Sequence, residues 1–257
     1  MTALLSVTGL TRRYGALVAV DQVDFAVAAG EVHAVIGPNG AGKSSFLAML
    51  SGEARPDAGT IRLAGEDITR MAAAARARRG IGRAFQTTAV LRDFTVRRNA
   101  LLAAVAARGR GFGIGRAVDR DPELLADART LLAHVGLDAA ADRPAGTLAH
   151  GQQRRLELAM ALAGSPRLLL LDEPTAGAGP EESRAMVALL QTIRRGEIRL
   201  GDGPPPAMVL VEHDLDAVFA LADRITVLAQ GRVIACGPSD AVRRDRAVRQ
   251  AYLGDDE

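Results

Sequence analysis

The stretch Gly37–Ser44 has the residue types and spacing of a phosphate-binding loop. It reads Gly-Pro-Asn-Gly-Ala-Gly-Lys-Ser and fits the pattern G-x-x-x-x-G-K-[ST] at every fixed position. In such a loop the backbone N–H groups surround phosphate oxygens, Lys43 reaches the β- and γ-phosphates, and the Ser44 hydroxyl is placed to ligate Mg²⁺. The residues predicted to contact a nucleoside triphosphate are Gly37, Pro38, Asn39, Gly40, Ala41, Gly42, Lys43, Ser44 and Ser45.

The segments on either side of the loop support this prediction. Val32–Ile36 is a largely apolar run that is short enough for a buried strand, and Ser45–Leu50 is typical of the start of a helix. A phosphate-binding loop lies between a strand and a helix. The alternative, a glycine-rich turn with a chance lysine, does not account for this context.

Two consecutive carboxylates follow a run of four leucines, Leu168–Leu171. A strand without polar alternation is typical of the centre of a parallel sheet, buried on both faces. Open α/β sheets place their ligand chemistry at the carboxyl ends of such strands. Structural carboxylates also occur there, but together with the phosphate-binding loop the pattern predicts a metal-binding Asp172 and a water-activating Glu173.

Three further residues are candidates for the same site. Tyr14 precedes the loop, and its residue type fits equally an aromatic that stacks on adenine or one that lies on an edge strand. Gln86 follows an apolar extended segment and is either a solvated strand end or an amide that reaches a metal-bound water. The third is His213, in the sequence Glu212-His213-Asp214 that ends the predicted strand Met208–Val211.

The elements that position these residues alternate between strands and helices. We predict strands over residues 4–11, 17–27, 60–63, 168–171 and 208–211, with a hairpin over 225–235. We predict helices over 71–79 and 180–193, and one between the cap Asp121 and the stop Gly136. The Gly- and Arg-rich stretch Arg108–Arg120 is predicted to be a surface insertion, with contact to lipid headgroups or RNA as the alternative.

Composition restricts the function classes. The chain has 257 residues, a net charge of +2, 3% aromatic residues and no tryptophan, so we expect no nucleic-acid partner. The single cysteine, Cys236, excludes an intramolecular disulfide and is expected to be a small buried residue. We see neither a signal peptide nor an apolar run of about 18 residues, so we expect an intracellular protein that contacts a membrane only through partners.

Taken in order, these motifs resemble the ATP-binding cassette family over roughly Leu4–Gly254. The motifs are an aromatic residue, the phosphate-binding loop, a strand-end Gln, an L-x-x-G-Q segment at Leu148–Gln152, an apolar strand with Asp-Glu, and a strand-end His. The resemblance implies an α/β P-loop NTPase fold with a parallel or mixed core sheet, an N-terminal antiparallel β-subdomain and an inserted α-helical subdomain. It implies one domain over 1–257, with the helical subdomain at approximately 88–165 and a C-terminal extension at 238–257.

The resemblance also implies a role for each site residue. Tyr14 stacks on adenine, Glu173 polarises the attacking water, and His213 contacts the γ-phosphate. The implied Mg²⁺ ligands, direct or through water, are Ser44, Gln86 and Asp172, and Gln86 counts with the catalytic residues. Two subunits form a head-to-tail dimer, so that the ATP of one subunit is contacted in trans by Ala149, His150, Gly151 and Gln152 of the other.

Two positions depart from the family pattern. Ala149 replaces the usual serine of the L-x-x-G-Q segment, which removes one hydroxyl that would reach the γ-phosphate. Ala178-Gly179 replaces the usual leucine and Asp or Asn of the loop after Glu173, which normally crosses the dimer interface. Neither change removes a metal ligand or the base, so we still expect ATP hydrolysis.

Other segments are similar to the ATPases of branched-chain amino acid importers. These are Leu148–Glu157, Gly82–Gln86, the insertion at Arg108–Arg120 and the ending Ala251–Gly254. The resemblance implies an identical or paralogous second ATPase, two permeases that dock near the Gln86 loop, an extracytoplasmic substrate-binding protein, and a peripheral position on the cytoplasmic face of the membrane. The alternatives are uptake of urea or amides, lipopolysaccharide export, a soluble cassette ATPase of DNA repair or translation, and an unrelated phosphate-loop kinase or GTPase.

Overall fold

The computed structural model describes residues 3–84, 90–109, 120–198 and 203–244. The chain divides into two compact units. The first unit contains Met1–Arg76, Leu170–Ala176 and Ala207–Glu257, and the second contains Ala77–Leu169 and Gly177–Pro206.

In chain order the strands and helices are β1 (Ala3–Tyr14), β2 (Leu17–Ala28), β3 (Val32–Ile36), α1 (Lys43–Ser51), β4 (Ala58–Leu63), β5 (Glu66–Asp67), α2 (Ala73–Ala77), β6 (Ile81–Ala84), α3 (Val96–Ala107), α4 (Pro122–His134), α5 (His150–Leu162), β7 (Leu168–Asp172), α6 (Pro180–Arg194), β8 (Ala207–Val211), α7 (Leu215–Leu221), β9 (Arg224–Ala229), β10 (Arg232–Pro238) and α8 (Ser239–Arg244).

The first unit contains an antiparallel sheet with the strand order β2-β1-β4-β5. β1 and β2 form a hairpin, in which Tyr14 lies opposite Leu17 at the closed end. Side chains alternate between buried and exposed positions along β2, as expected for a sheet with one face towards a core. The hairpin therefore presents its closed end, with Tyr14, at one edge of the unit.

The first unit also contains most of the six-stranded central sheet, with its strands in the order β10-β9-β3-β8-β7 and β7 included from Leu170 onward. β3 pairs in parallel with β8 and with β9, while β9 and β10 form an antiparallel hairpin. All residues of β3, β7 and β8 are buried, which matches their nearly continuous apolar sequences. The carboxyl ends of these parallel strands lie at one edge of the sheet, and the loops that carry the candidate site leave from that edge.

A buried arginine closes the end of the helix that follows the loop. The guanidinium of Arg76 donates to the carbonyl oxygens of Met49 at 2.6 Å and Leu50 at 2.8 Å, which are among the last of α1. It also donates to the carbonyls of Thr69 and Met71. Burial lowers the pKa of Arg76 to about 10, and the charge of Asp67 acts in the opposite direction. The cation therefore donates to carbonyl oxygens at the end of the helix, where fewer backbone N–H groups are available.

The second unit is mainly helical. Thr95 caps α3 by accepting from the N–H of Arg98, and Asp121 caps α4 by accepting from Glu123 and Leu124. Gly136 has φ 66°, the left-handed backbone conformation that ends helices. The prediction of a helix between Asp121 and Gly136 is thus confirmed. In the same unit the N–H of Leu168, at the start of β7, donates to the carbonyl of Gly80, just before β6.

One expectation from the sequence is met only in part and one is wrong. The helix expected over 71–79 is present but shorter, as α2, because the carbonyl of Met71 accepts from the Arg76 side chain and the chain turns at Gly80. Cys236 is exposed rather than buried, because it lies on β10, the last strand of the sheet, which pairs only with β9.

Across 3–84, 90–109, 120–198 and 203–244, no helix combines the length and the apolar content needed to cross a bilayer.

Candidate functional site

The loop Gly37–Gly42 connects the carboxyl end of β3 to the first turn of α1, as the motif requires. Gly42 has φ 100°, and a Cβ at this position would overlap with the carbonyl oxygen of Ala19 on β2. Only glycine combines this conformation with so close a backbone approach. Because Gly42 is also the N-cap of α1, no side chain caps the first N–H groups of this helix. Those N–H groups are therefore available to bind an anion.

Lys43 is already held within the loop. Its ammonium donates to the carbonyl oxygens of Gly37 at 2.6 Å and Pro38 at 3.1 Å, and the residue is only 6% exposed. Burial lowers the pKa of Lys43, while the charges of Glu173 and then Asp172 raise it. These charge interactions place both predicted carboxylates near the loop.

Asp172 is the last residue of β7 and is 3% exposed. Glu173 follows it with φ 51°, a left-handed conformation that is unfavourable for a residue other than glycine. The N–H of Glu173 donates to the carbonyl of Val211 at the end of β8, which helps to hold this conformation. The parallel strands β7 and β8 therefore bring their carboxyl ends together, as the sequence predicts.

His213 and Glu173 form a direct contact at this edge. Nε2 of His213 lies 2.6 Å from Oε1 of Glu173, and the two residues are 40 positions apart in the chain. The imidazole is exposed while the carboxylate is mostly covered. The structure thus joins two residues that the sequence predicts separately.

Glu212 and Thr175 belong to the same cluster and were given no role from the sequence. Oε1 of Glu212 accepts from the Thr175 N–H at 2.8 Å and from the Thr175 hydroxyl at 2.6 Å. Oε2 accepts from the N–H of His213 at 2.9 Å. The one signal in the sequence was an acidic residue at the end of an apolar strand, directly before His213.

Tyr14 lies at the end of the β1–β2 hairpin and is 47% exposed. The guanidinium of Arg12 covers its ring, with Cζ 4.7 Å from the centroid. The hairpin approaches the phosphate-binding loop through Ala19, whose carbonyl faces Gly42. An exposed aromatic ring on this hairpin is compatible with stacking on a base, and with the edge-strand alternative.

The L-x-x-G-Q segment lies in the second unit, at the start of α5. Ala149 is the N-cap, and its N–H donates to Oε1 of Gln152 at 3.2 Å. A Cβ at Gly151 would come within 2.8 Å of the carboxyl carbon of Glu182, in the first turn of α6. His150 is exposed beside this glycine. The segment therefore presents a helix start at which an added Cβ on Gly151 would meet the Glu182 carboxylate.

Residues 85–89, which include Gln86, lie outside the described residues, as do 110–119 and the ending at 251–254. The residues that are described fit a Mg²⁺ site. Ser44 offers an exposed hydroxyl and Asp172 a carboxylate near Lys43, and both are hard oxygen donors. In the described part of the chain no group of three or more His, Cys, Asp or Glu side chains could hold a metal ion. Proteins bind Mg²⁺ through one or two side chains together with substrate phosphates, and Ser44 and Asp172 are side chains of that kind.

Comparisons with known proteins find related sequences over nearly the whole chain. A family model described as ABC transporter matches residues 20–176, and one described as branched-chain amino acid ATP-binding cassette transporter matches residues 232–257. The high-affinity branched-chain amino acid transport ATP-binding protein BraF of Pseudomonas aeruginosa is 38% identical over 98% of each chain. LivG of Escherichia coli, which has the same description, is 36% identical over 98% of each chain.

Solved structures show the same architecture. A nucleotide-free ATP-binding cassette from an ABC transporter superposes with a TM-score of 0.85 at 26% identity, and covers 99% of this chain and 100% of its own. The ADP conformation of MJ1267, an ATP-binding cassette of an ABC transporter, gives a TM-score of 0.85 at 27% identity, with the same coverage.

Proposed function

The chain belongs to the ABC transporter family, and on that premise we propose that it is the ATP-hydrolysing subunit of an importer for branched-chain amino acids. The contact between Glu173 and His213 beside the phosphate-binding loop carries the proposal for hydrolysis. The match of 232–257 to the branched-chain amino acid transporter model, and the similarity to BraF and LivG, support the cargo.

The phosphate-binding loop holds the triphosphate in this proposal. The N–H groups of the loop and of the first turn of α1 bind phosphate oxygens, and Lys43 exchanges its contacts with Gly37 and Pro38 for the β- and γ-phosphates. Tyr14 stacks on the adenine. Ser44, Asp172 and Gln86 would hold Mg²⁺ directly or through water, and the bound ion would neutralise charge on the phosphates.

Glu173 and His213 position the reaction. Glu173 orients the attacking water for in-line attack on the γ-phosphate and accepts a hydrogen bond from it. His213 holds the Glu173 carboxylate and contacts the γ-phosphate. No covalent intermediate is needed, because the catalysis consists of positioning and electrostatic stabilisation.

The site becomes complete only with a second subunit. Ala149, His150, Gly151 and Gln152 of a partner ATPase, identical or paralogous, close over the nucleotide, and the start of α5 directs its N–H groups at the γ-phosphate. We propose that residues 88–165 form the helical subdomain and 238–257 a C-terminal extension. We also propose that two permeases dock near Gln86, receive the amino acid from an extracytoplasmic binding protein, and hold the chain on the cytoplasmic face of the membrane.

The catalytic proposal is tested with Glu173→Gln. The amide keeps the shape of the carboxylate but accepts a proton poorly, so kcat for ATP should fall by at least about 100-fold while ATP binding persists. The variant should also form a stable dimer with ATP and Mg²⁺, detected by size-exclusion chromatography. A Glu173→Gln enzyme that hydrolyses ATP at the wild-type rate would refute this mechanism.

The cargo is tested with the complete complex in lipid vesicles. ATP hydrolysis should increase when the binding protein is loaded with leucine, isoleucine or valine. Stimulation by urea or an amide instead would keep the importer and change its cargo. Failure to assemble with any permease would favour a soluble cassette ATPase.

A further inference from the structure

A buried carboxylate connects the two loops that carry Glu173 and His213. Glu212 lies directly after β8 and is 2% exposed. One of its oxygens accepts from the N–H and the hydroxyl of Thr175, in the loop after β7. The other accepts from the N–H of His213 at 2.9 Å and that of Asp214 at 3.4 Å.

The chemistry of a carboxylate explains why this connection is firm. An ionised carboxylate has only acceptors, and a buried one must be surrounded by donors. The four donors around Glu212 come from both loops, so neither loop can move away without leaving a buried charge without its partners. Hydrogen bonds to a charged group are also stronger than those between neutral groups.

The same two loops determine the geometry of the proposed catalytic pair. Thr175 lies two residues after Glu173, whose left-handed backbone must be held by its surroundings. His213 directly follows Glu212, which accepts from its N–H. The distance of 2.6 Å between Glu173 and His213 therefore depends on loops that Glu212 joins.

We propose that Glu212 is a positioning residue for ATP hydrolysis, which holds the Glu173 carboxylate and the His213 imidazole in register through Thr175. The proposal rests on the proposed function, because it assigns a role within that site. Glu212 does not contact the nucleotide or the water in this scheme. It acts only through the two loops.

The substitution Glu212→Gln separates this role from simple burial. Glutamine has nearly the same shape, but its amide offers one acceptor oxygen and two N–H donors. The donors of one of the two loops must then face an N–H group of the glutamine in place of an acceptor oxygen. That loop loses its hydrogen bonds to residue 212. We expect kcat to fall by about 10- to 100-fold, as for supporting residues at other sites. The KM for ATP should stay within about twofold of the wild-type value, because Lys43 can still contact the phosphates.

Variants of Thr175 provide a second, milder test. Thr175→Val removes only the hydroxyl that donates to Glu212, whereas Thr175→Ser keeps it. Thr175→Val should lower kcat, and Thr175→Ser should restore it to near the wild-type value. Asp214→Asn is the matched control, because Asp214 caps α7 and asparagine caps a helix equally well.

A spectroscopic readout distinguishes positioning from general damage. The chain has four histidines, so the ring nitrogens of His213 can be assigned in ¹⁵N-histidine-labelled protein with a His213→Ala reference. The Nε2 resonance of His213, which reports its hydrogen bond to Glu173, should shift in Glu212→Gln and Thr175→Val but not in Asp214→Asn. The resonances of buried His33 should stay unchanged in all variants and thereby report an intact core.

The outcomes are separable. Wild-type hydrolysis that disappears in Glu173→Gln supports the proposed function whatever Glu212 does. The positioning role is overturned if Thr175→Val keeps the wild-type kcat, if kcat falls without a shift of the His213 resonance, or if Asp214→Asn lowers kcat as much as Glu212→Gln. It is also overturned if the loss lies in KM alone.

Discussion

At the scale of single residues, Lys43 and His33 are buried basic side chains of the first unit with different surroundings. Lys43, the only lysine in the chain, keeps two carbonyl partners and two nearby carboxylates, so its charge is supported. His33, on β3, is 1% exposed and hydrogen-bonds through Nδ1 to the carbonyl of Ala26 and through Nε2 to the hydroxyl of Thr226. Burial, assisted by the charge of Arg224, lowers the pKa of His33 from 6.5 to about 4.

His33 therefore predicts a loss of stability in acid. The folded protein holds this imidazole neutral, while the unfolded chain takes up a proton below pH 6.5. The contribution of His33 to the free energy of unfolding is therefore fully present above pH 6.5 and is lost as the pH falls towards 4. The loss is about 2 kcal/mol by pH 5 and about 3 kcal/mol in total. The measurement is the free energy of unfolding in urea at pH 7.5 and at pH 5.

The control for this prediction is His33→Gln, which removes the titrating ring. The variant should be less stable than the wild type at neutral pH. Between pH 7.5 and pH 5, however, its free energy of unfolding should decrease less than that of the wild type, because the contribution of His33 is absent. Equal pH dependence in the two proteins would show that His33 does not carry the effect.

At the scale of elements, patterns within one segment predicted the structure well. The apolar run before the loop became β3, the leucine run became β7, and Asp121 and Gly136 bound α4 as expected. What the sequence did not reveal depends on partners far apart in the chain. Glu212 meets Thr175 across 37 positions, and Arg76 meets Met49 across 27, so no local periodicity indicates either contact. Cys236 was misjudged for a related reason, because the order of strands in the sheet decides which strand lies at the edge.

The cap that Arg76 forms on α1 leads to a prediction about stability. Arg76→Met should destabilise the fold by about 2–4 kcal/mol, because two buried and two part-buried carbonyl oxygens lose a charged donor. Arg76→Lys should recover only part of this loss, since a compact ammonium cannot reach all four oxygens. Chemical denaturation measures both variants.

A matched substitution tests whether burial is the cause. Arg232 pairs with Asp21 on the surface, with 73% of its side chain exposed, so Arg232→Met should cost no more than about 1 kcal/mol. A similar cost for the two methionine variants would contradict the role of Arg76 as a helix cap.

At the scale of the whole molecule, the proposed site draws on two chains. The phosphate-binding loop and the Glu173–His213 pair lie in the first unit, and the L-x-x-G-Q segment lies in the second. A variant damaged in one part should therefore be rescued by a variant damaged in the other, provided that two copies of this chain pair.

Mixing Lys43→Ala with Gly151→Ala tests this arrangement. Each variant alone should hydrolyse ATP at a small fraction of the wild-type rate. Gly151→Ala should still fold, because the new Cβ only displaces the flexible carboxylate of Glu182. An equal mixture should recover up to about a quarter of the wild-type activity, since half of the dimers are mixed and each mixed dimer has one intact site. If the mixture is as inactive as each variant alone, the active assembly is not a pair of identical chains. The mixing experiment should then be repeated with a paralogous ATPase.

The exposed position of Cys236 on β10 has a practical consequence for such measurements. It is the only cysteine of the chain, so a thiol-reactive spin label attaches at one known position without any substitution. Two identical chains related by a two-fold axis would carry two labels and give a single label-to-label distance, which shifts when ATP closes the dimer. Pairing with a cysteine-free paralogue would leave one label and no dipolar signal. Pulsed electron spin resonance on the native sequence can therefore establish both the composition of the dimer and its closure.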